Sequence, residues 1–423
     1  MSEQPTATVR APVSLEAIVA QGLCIGCGLC QSLAGADRVQ LRMNGERGER
    51  PTVLESLDGG TLAAINEVCP GIHCEGVGAV DAEGTIHPLW GPTVWMATGH
   101  ATDERVRFHA SSSGALSALG NHLLESGEVD FILHVAASHD RPLRSIAQLS
   151  FTTTEVMAAS GSRYGPAAPL TDFKSVLDRG RPFAFVGKPC DISAIRNYAR
   201  LDSRVDELLR YTLNFFCGGV SEFGKTMDYV RKVGWQEADV AHLRYRGDGC
   251  PGSMVLRSRT GEEFRFDYNE MWEDESRWQL QFRCKICPDS IGERADVTVA
   301  DVWPGGKPDV EGRGFNGFIA RTARGARLLT NAVQARAITL TESLDFAGLE
   351  LTQESHARRK KAVASRLRAL RDAGVTVPRF ELLRLDDADR LLDEAERQRN
   401  YQGMCDRLRQ GDNREDAPAH PSN

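Results

Sequence analysis

Nowhere in the sequence does an apolar run reach the roughly 18 residues that a membrane-crossing helix needs, so no membrane span is expected. Basic charge is not in excess either: 51 Lys and Arg stand against 58 Asp and Glu, for a net charge of −7. With aromatics at only 7 %, the chain lacks the basic, aromatic-studded surface of a nucleic-acid binder. The first residues, Met1 to Arg10, carry no apolar core of a secretion signal. The eleven cysteines are odd in number and clustered rather than spread. That argues against a disulfide framework and for thiols kept reduced in a cytoplasmic setting.

What the chain does have is cysteine at short spacing. Cys24, Cys27 and Cys30 repeat every three residues, a spacing that can turn back around one cubane, with a later Cys-Pro closing the fourth iron position. Zinc is the competing reading, but it needs four S/N ligands and pairs a CxxC with a second CxxC or two histidines. Both Cys69 and Cys74 are available as the fourth thiolate; Cys69 is favoured because Pro70 follows it. Farther on, Cys284 and Cys287 form a CxxC that alone is open to redox, zinc or cluster roles. Cys190 and Cys217 each stand where a strand is expected to end, which is where α/β folds build sites. Spacing alone leaves a second four-thiol cage open. Cys250 and Cys405 have no evident partner and read as structural.

The pattern of elements is α/β (α+β). Residues 1–18 read as a flexible lead, 19–90 as a small ferredoxin-like iron–sulfur module, and 91–180 and 181–345 as two halves of an α/β region. A charged helical extension follows over 346–410, and 411–423 reads as a disordered tail. A helix is expected over 115–124, a buried strand over 129–135, and a helix over 170–177. Further strands are expected at 182–187, 208–216 and 296–301, a helix at 192–198, and a hairpin turning at Arg259-Thr-Gly261. His134 and His139 flank a strand end and are the histidines open to proton delivery, although neither has a sequence partner that marks it as a catalytic acid. The basic run from Arg358 to Lys361, with Arg366, Arg368 and Arg371, reads as a solvated helix face, with docking of an acidic ferredoxin or a polyanionic cofactor as the alternative.

Taken in order, seven segments resemble one family. They are Ser112-Ser-Gly114, Gly127-Glu-Val-Asp130, Gly161-Ser-Arg-Tyr164, Gly187-Lys-Pro-Cys-Asp191, Phe216-Cys-Gly-Gly219, Arg283-Cys-Lys-Ile-Cys-Pro-Asp289 and Ala295-Asp-Val-Thr-Val-Ala-Asp301. The chain resembles the coenzyme F420 hydrogenase/dehydrogenase beta subunits and their formate-dehydrogenase and chlorophyll-reductase relatives. The resemblance implies FAD held by the α/β region and at least one 4Fe-4S cluster, with two expected here. It implies Cys190, Cys217, Cys284 and Cys287 as ligands of the second cluster, beside Cys24, Cys27, Cys30 and Cys69 for the first. It also turns attention to Ser112, Ser113, Gly114, Ser162, Arg163, Tyr164, Gly187, Lys188 and Asp301 as flavin contacts. Hydroxyls and N–H groups at a helix start, a guanidinium and a stacking ring suit a phosphate-bearing cofactor. The expectation is an iron–sulfur flavoprotein oxidoreductase, fed by ferredoxin or another redox subunit and acting on a small organic substrate. The alternative is a deazaflavin-linked beta subunit, and a non-catalytic electron carrier or zinc-stabilised binding protein is the reading from another class.

Overall fold

The computed structural model describes residues 13–272, 274–303 and 312–416. Its centre is one eight-stranded sheet: β1 (Trp95–Ala101), β2 (Phe131–Ala137), β3 (Ser145–Ser150), β4 (Phe183–Gly187), β5 (Leu209–Phe215), β6 (Val297–Val302), β7 (Phe315–Ala320) and β8 (Ile338–Ser343). In space the order is β8-β1-β7-β6-β5-β4-β2-β3. The four middle strands β2, β4, β5 and β6 run parallel, while β3 on one flank and β7, β1 and β8 on the other are antiparallel.

The parallel strands are covered on both faces and are buried along most of their length. Side chains alternate between two cores. Phe131, Leu133, Phe183 and Phe185 pack to one side with Ile192 and Ile195 of helix Pro189–Tyr198. Ile132, Ala184 and Leu213 pack to the other with Leu119 and Leu123 of helix Ala115–Glu125 and with Leu328 and Leu329. Phe131 and Phe183 stack at 5.3 Å across neighbouring strands. Each such fully buried ring stabilises the fold by about 1.5–3 kcal/mol.

The cysteine-rich N-terminal module packs against this body rather than standing apart. It contains helix Leu15–Ala20, helix Leu29–Ala34, the hairpin Val39–Asn44/Gly48–Val53 and helix Gly59–Val68. Its core residues Leu15, Ile18, Leu23 and Ile65 share a cluster with Phe282, Ile286, Val363, Leu367 and Met404. The strand-turn-strand about Gly261 is present as Met254–Ser258 paired to Glu263–Phe266.

Several boundaries differ from expectation. The strand expected at 129–135 lies at 131–137, and the helix expected at 170–177 is a single turn and a half, Phe173–Leu177. The helix expected from Ile192 begins at Pro189, because a proline suits the first helical turn and Asp191 accepts from the Lys188 amide at 3.3 Å. The tail is corrected too. Residues 411–416 fold back onto the N-terminal module, with Asn413 and Glu415 buried, because Glu415 forms a two-point ion pair with buried Arg50 at 2.8 and 3.1 Å. Residues 417–423, the lead up to Val13 and the segment 304–311 lie outside the described residues. Among the described residues no helix is long and apolar enough to cross a membrane.

Candidate redox site

Two glycines shape the first cysteine loop. Gly26 (φ +70°) and Gly28 (φ +90°) take left-handed backbone conformations, and a Cβ on Gly28 would meet the Thr171 backbone nitrogen at 2.8 Å. The turn lets Cys24 and Cys27 face inward before helix Leu29–Ala34 brings in Cys30. Cys69 arrives from elsewhere, at the C-terminal cap of helix Gly59–Val68. All four line one small cavity whose other walls include Leu15, Ile18, Leu29, Ile65 and Val68.

Cys74 is not in that wall. Its thiol donates to the Pro70 carbonyl at 3.2 Å and accepts from Arg283 at 3.4 Å. Burial pushes the Cys27 and Cys30 thiols well above the usual range, with the charge of Asp191 adding to it for Cys27 and the neighbouring cysteines for both, and burial pushes Cys69 up to about 12. Backbone N–H groups of Gly26, Leu29, Gln31, Gly71 and Ile72 are directed at these sulfurs. Dry walls, four thiols and N–H donors suit a thiolate-held cluster, since thiolate that is costly when bare is stabilised by bound metal charge.

The second set gathers at the C-terminal edge of the parallel strands. Cys190 follows β4 in the first turn of its helix, and Cys217 follows β5. Cys284 lies in the short helix Phe282–Lys285, and Cys287 follows shortly after it. They lie within electrostatic reach of one another, so that charge on Cys217 or Cys287 pushes the Cys190 thiol up and charge on Cys284 the Cys217 thiol. Burial pushes Cys217 up to about 11. The Val220 amide donates to Cys284 Sγ at 3.4 Å. Among the described residues, no group of three or more His, Cys, Asp or Glu is arranged to hold a single metal ion.

Arg283 joins the two sets. It is 2 % exposed and donates to the carbonyls of Pro70 (2.7 Å) and Gly71 (2.9 Å), just after Cys69. It also sits beside Cys74, Cys190, Cys284 and Cys287 in charge terms, and lies over the Phe380 ring at 4.8 Å. Lys188 supplies a second buried cation. Burial works against its charge, yet Asp191 at 2.7 Å and the thiols of Cys190 and Cys217 hold it above the ordinary lysine value.

The expected flavin contacts divide into two groups. Ser112 and Ser113 are buried, and their hydroxyls bond to Asp301 and Asn316. The Ser162 amide donates to Ser111 Oγ at 2.8 Å. Arg163 gives its N–H groups to Ser145 and to the carbonyls of Pro142, Arg144 and Leu243. Gly114, in the left-handed region, is packed against the Val106 carbonyl. These polar groups are thus satisfied inside the chain. Around Gly187 and Lys188 the case is different: Asn214 Oδ1 and Asp191 Oδ1 are buried without a partner, and polar atoms so placed suit a bound polar cofactor.

Arg246 was not singled out by the sequence. It is buried, donates to Asp301 (2.9 Å), Tyr164 (3.2 Å) and the Pro251 carbonyl (2.9 Å), and lies over Tyr268 and Trp303. It therefore ties two expected flavin residues, Tyr164 and Asp301, together. Also missed was His109, half-exposed, whose Nδ1 lies 2.5 Å from Asp248. The Gly-Asp-Gly turn after Arg246 is the only local signal for either. His134, by contrast, is buried against Ser150 Oγ at 2.8 Å, and burial brings it down to about 4, so it is neutral near pH 7. His139 is exposed in the loop after β2. A separate cleft of about 610 Å³ between helix Glu354–Asp372 and residues 377–390 holds none of the expected site residues.

Comparison with known proteins shows the family. Residues 96–173 match the family model described as coenzyme F420 hydrogenase/dehydrogenase, beta subunit N-term, and residues 180–345 match its C terminus. The coenzyme F420 hydrogenase subunit beta of Methanothermobacter thermautotrophicus is 22 % identical over 291 residues, covering 67 % of this chain and 97 % of that protein. In fold, a chain of the F420-reducing [NiFe] hydrogenase complex from Methanosarcina barkeri matches with a TM-score of 0.52 at 19 % identity, covering 67 % of this chain and 96 % of that one. The first cysteine set precedes the matched spans, whereas Cys190, Cys217, Cys284 and Cys287 fall inside the C-terminal one. On the two matches, which together take in more than half of its length, the chain belongs to the coenzyme F420 hydrogenase/dehydrogenase beta-subunit family.

Proposed function

We propose that this chain is the electron-transferring beta-type subunit of a coenzyme F420-linked oxidoreductase, exchanging two electrons with the deazaflavin and single electrons with a redox partner. The observation that carries this reading is the gathering of the cysteines into two sets of four, with buried Arg283 between them. If these sets held 4Fe-4S clusters and the Lys188 turn FAD, the groups would supply one-electron transfer and its conversion to two-electron hydride chemistry.

The chain's own residues supply position and environment. Cys24, Cys27, Cys30 and Cys69 would hold one cluster, and Cys190, Cys217, Cys284 and Cys287 the other. Ile18, Leu29 and Ile65 keep water from the first set. Arg283 holds the residues following Cys69 against the Cys284 helix, which fixes the spacing of the sets. Positive charge on Arg283 and Lys188 favours the reduced, more negative state of whatever the thiols bind. Gly187 and Lys188, with the unpartnered oxygens of Asn214 and Asp191, are the residues best suited to face FAD.

A second reading, a ferredoxin-dependent reductase of a different organic substrate, draws on the extra cysteine module ahead of the family-matched span. Both readings are tested by one assay on anaerobically purified, iron-containing protein. The F420 reading expects reduced coenzyme F420 to be oxidised when viologen is the acceptor. Protein that carries iron and flavin but neither binds nor oxidises F420 would overturn it and favour the second reading.

A further inference from the structure

A surface rich in positive charge stands over the second thiol set. Lys285 sits between Cys284 and Cys287 in the sequence, Arg358, Arg359 and Arg366 belong to helix Glu354–Asp372, and Arg407 belongs to helix Glu394–Gln410. Three separate elements thus bring five cations together. The two long helices pack along each other, and Arg366 reaches across to the backbone of Lys285.

The cluster is not neutralised. Among the described residues its one carboxylate partner is Glu275, 2.6 Å from Arg358 and 3.9 Å from Arg359. A solvated helix face leaves its charges free to spread into water. Here Arg366 is held instead, donating to the Lys285 carbonyl at 2.6 Å, and Arg359 lies over the Trp278 ring at 5.2 Å. Five cations held side by side against a single carboxylate are unfavourable, and an anionic partner covering them removes that penalty. On a chain whose net charge is −7, so local a positive region also directs an acidic partner to one place.

We propose that this patch is the docking surface for an acidic protein that carries one electron at a time, and that the electron crosses between it and the Cys284/Cys287 set directly below. The inference rests on the cluster reading given above. A protein fits the patch better than a small polyanion because the cations span three elements beside an aromatic ring. Cys284 and Cys287 are only partly buried, so a carrier seated here comes close to them. In the step itself the carrier loses one electron and the second set gains it, or the reverse; no bond forms and no proton need move.

The test uses the full chain under anaerobic conditions, with a reduced, strongly acidic plant-type [2Fe-2S] ferredoxin as the probe. Two quantities are read: ferredoxin binding, and the rate at which the chain is reduced by it. Wild type is expected to bind, with association falling about tenfold between low and moderate salt. Joint Arg358→Glu and Arg407→Glu substitution is expected to lower binding and electron-transfer rate about tenfold or more, and the corresponding Gln pair to lower them less. Iron content and reduction by dithionite stay unchanged. Arg368→Glu with Arg371→Glu, on the same helix but lining the separate cleft, is expected to match wild type.

The proposal is overturned if the Arg358/Arg407 variant behaves as wild type, if the Arg368/Arg371 control loses as much, or if inorganic polyphosphate occupies the patch while ferredoxin does not bind. Failure of the two ideas is separable. Iron-containing protein that ignores ferredoxin refutes docking alone. Iron-free protein that still binds ferredoxin through Arg358 and Arg407 refutes the cluster reading and leaves the surface standing.

Discussion

Replacing Arg283 with methionine keeps most of the side chain's length and removes its charge and all its donors. The structure sets the scale of the effect. Arg283 is almost wholly buried and makes two short charge-assisted bonds, to the carbonyls of Pro70 at 2.7 Å and Gly71 at 2.9 Å. A hydrogen bond to a charged group contributes about 1.5–3 kcal/mol, so the pair accounts for about 3–6 kcal/mol. The bond to Ile286 at 3.4 Å is long and adds little. Arg283→Lys restores the charge but not the fork that reaches both carbonyls, and is expected to recover less than half of the loss. The assay is urea unfolding followed by tryptophan fluorescence, where the variant's midpoint falls with an unchanged slope. Because the lost bonds tie the segment after Cys69 to the Cys284 helix, Arg283→Met should also lower iron retention at both sets. A loss under about 1 kcal/mol with full iron content would show that Arg283 does not join the sets, and the reasoning would fail.

Three further outcomes follow from the geometry. Cys69→Ser is expected to strip the first set of its iron while Cys74→Ser keeps it, since Cys69 lines the cavity and Cys74 does not; iron and sulfide analysis reads the difference, and the reverse result would reassign the fourth ligand. Glu415→Ala leaves buried Arg50 unpaired beside Cys24 and should cost about 3–5 kcal/mol, whereas an exposed neighbour such as Asp412 should cost almost nothing; equal effects in urea unfolding would refute the role of the folded-back tail. His134, brought down to about 4 by burial, binds its proton only in the unfolded chain between about pH 4 and 6.5. Stability is therefore full above about pH 6.5 and falls by about 3 kcal/mol as pH drops toward 4, and His134→Leu should remove that part of the slope in urea midpoints against pH.

How much of this was legible in the sequence depends on how local the cause is. The repeat Cys24, Cys27, Cys30 and the pair Cys284, Cys287 are local spacings, and the structure gathers each with its distant companions. The apolar run that became β4 is continuous because both faces of a central parallel strand are buried, and β5 and β6 are short, β-branched-rich or apolar segments buried in the same way. Strands β1, β3, β7 and β8 were not anticipated. β1, Trp95–Ala101, mixes Thr, Gly and His with apolar residues, and only its neighbours β7 and β8 make it a strand. Arg246 with Asp301 and Arg50 with Glu415 are joined across 55 and 365 residues, and no local pattern announces such a pair. The Arg358 helix read as a solvated face because its neighbours Lys285 and Arg407 come from other elements. Chain proximity in three dimensions is what spacing cannot supply.

The most direct test of the account is the iron and acid-labile sulfide content of the anaerobically purified full chain. Two four-thiol sets predict roughly eight irons and eight sulfides per chain. Stoichiometric zinc without iron or sulfide would contradict the central claim that the two gathered cysteine sets are the protein's redox centre.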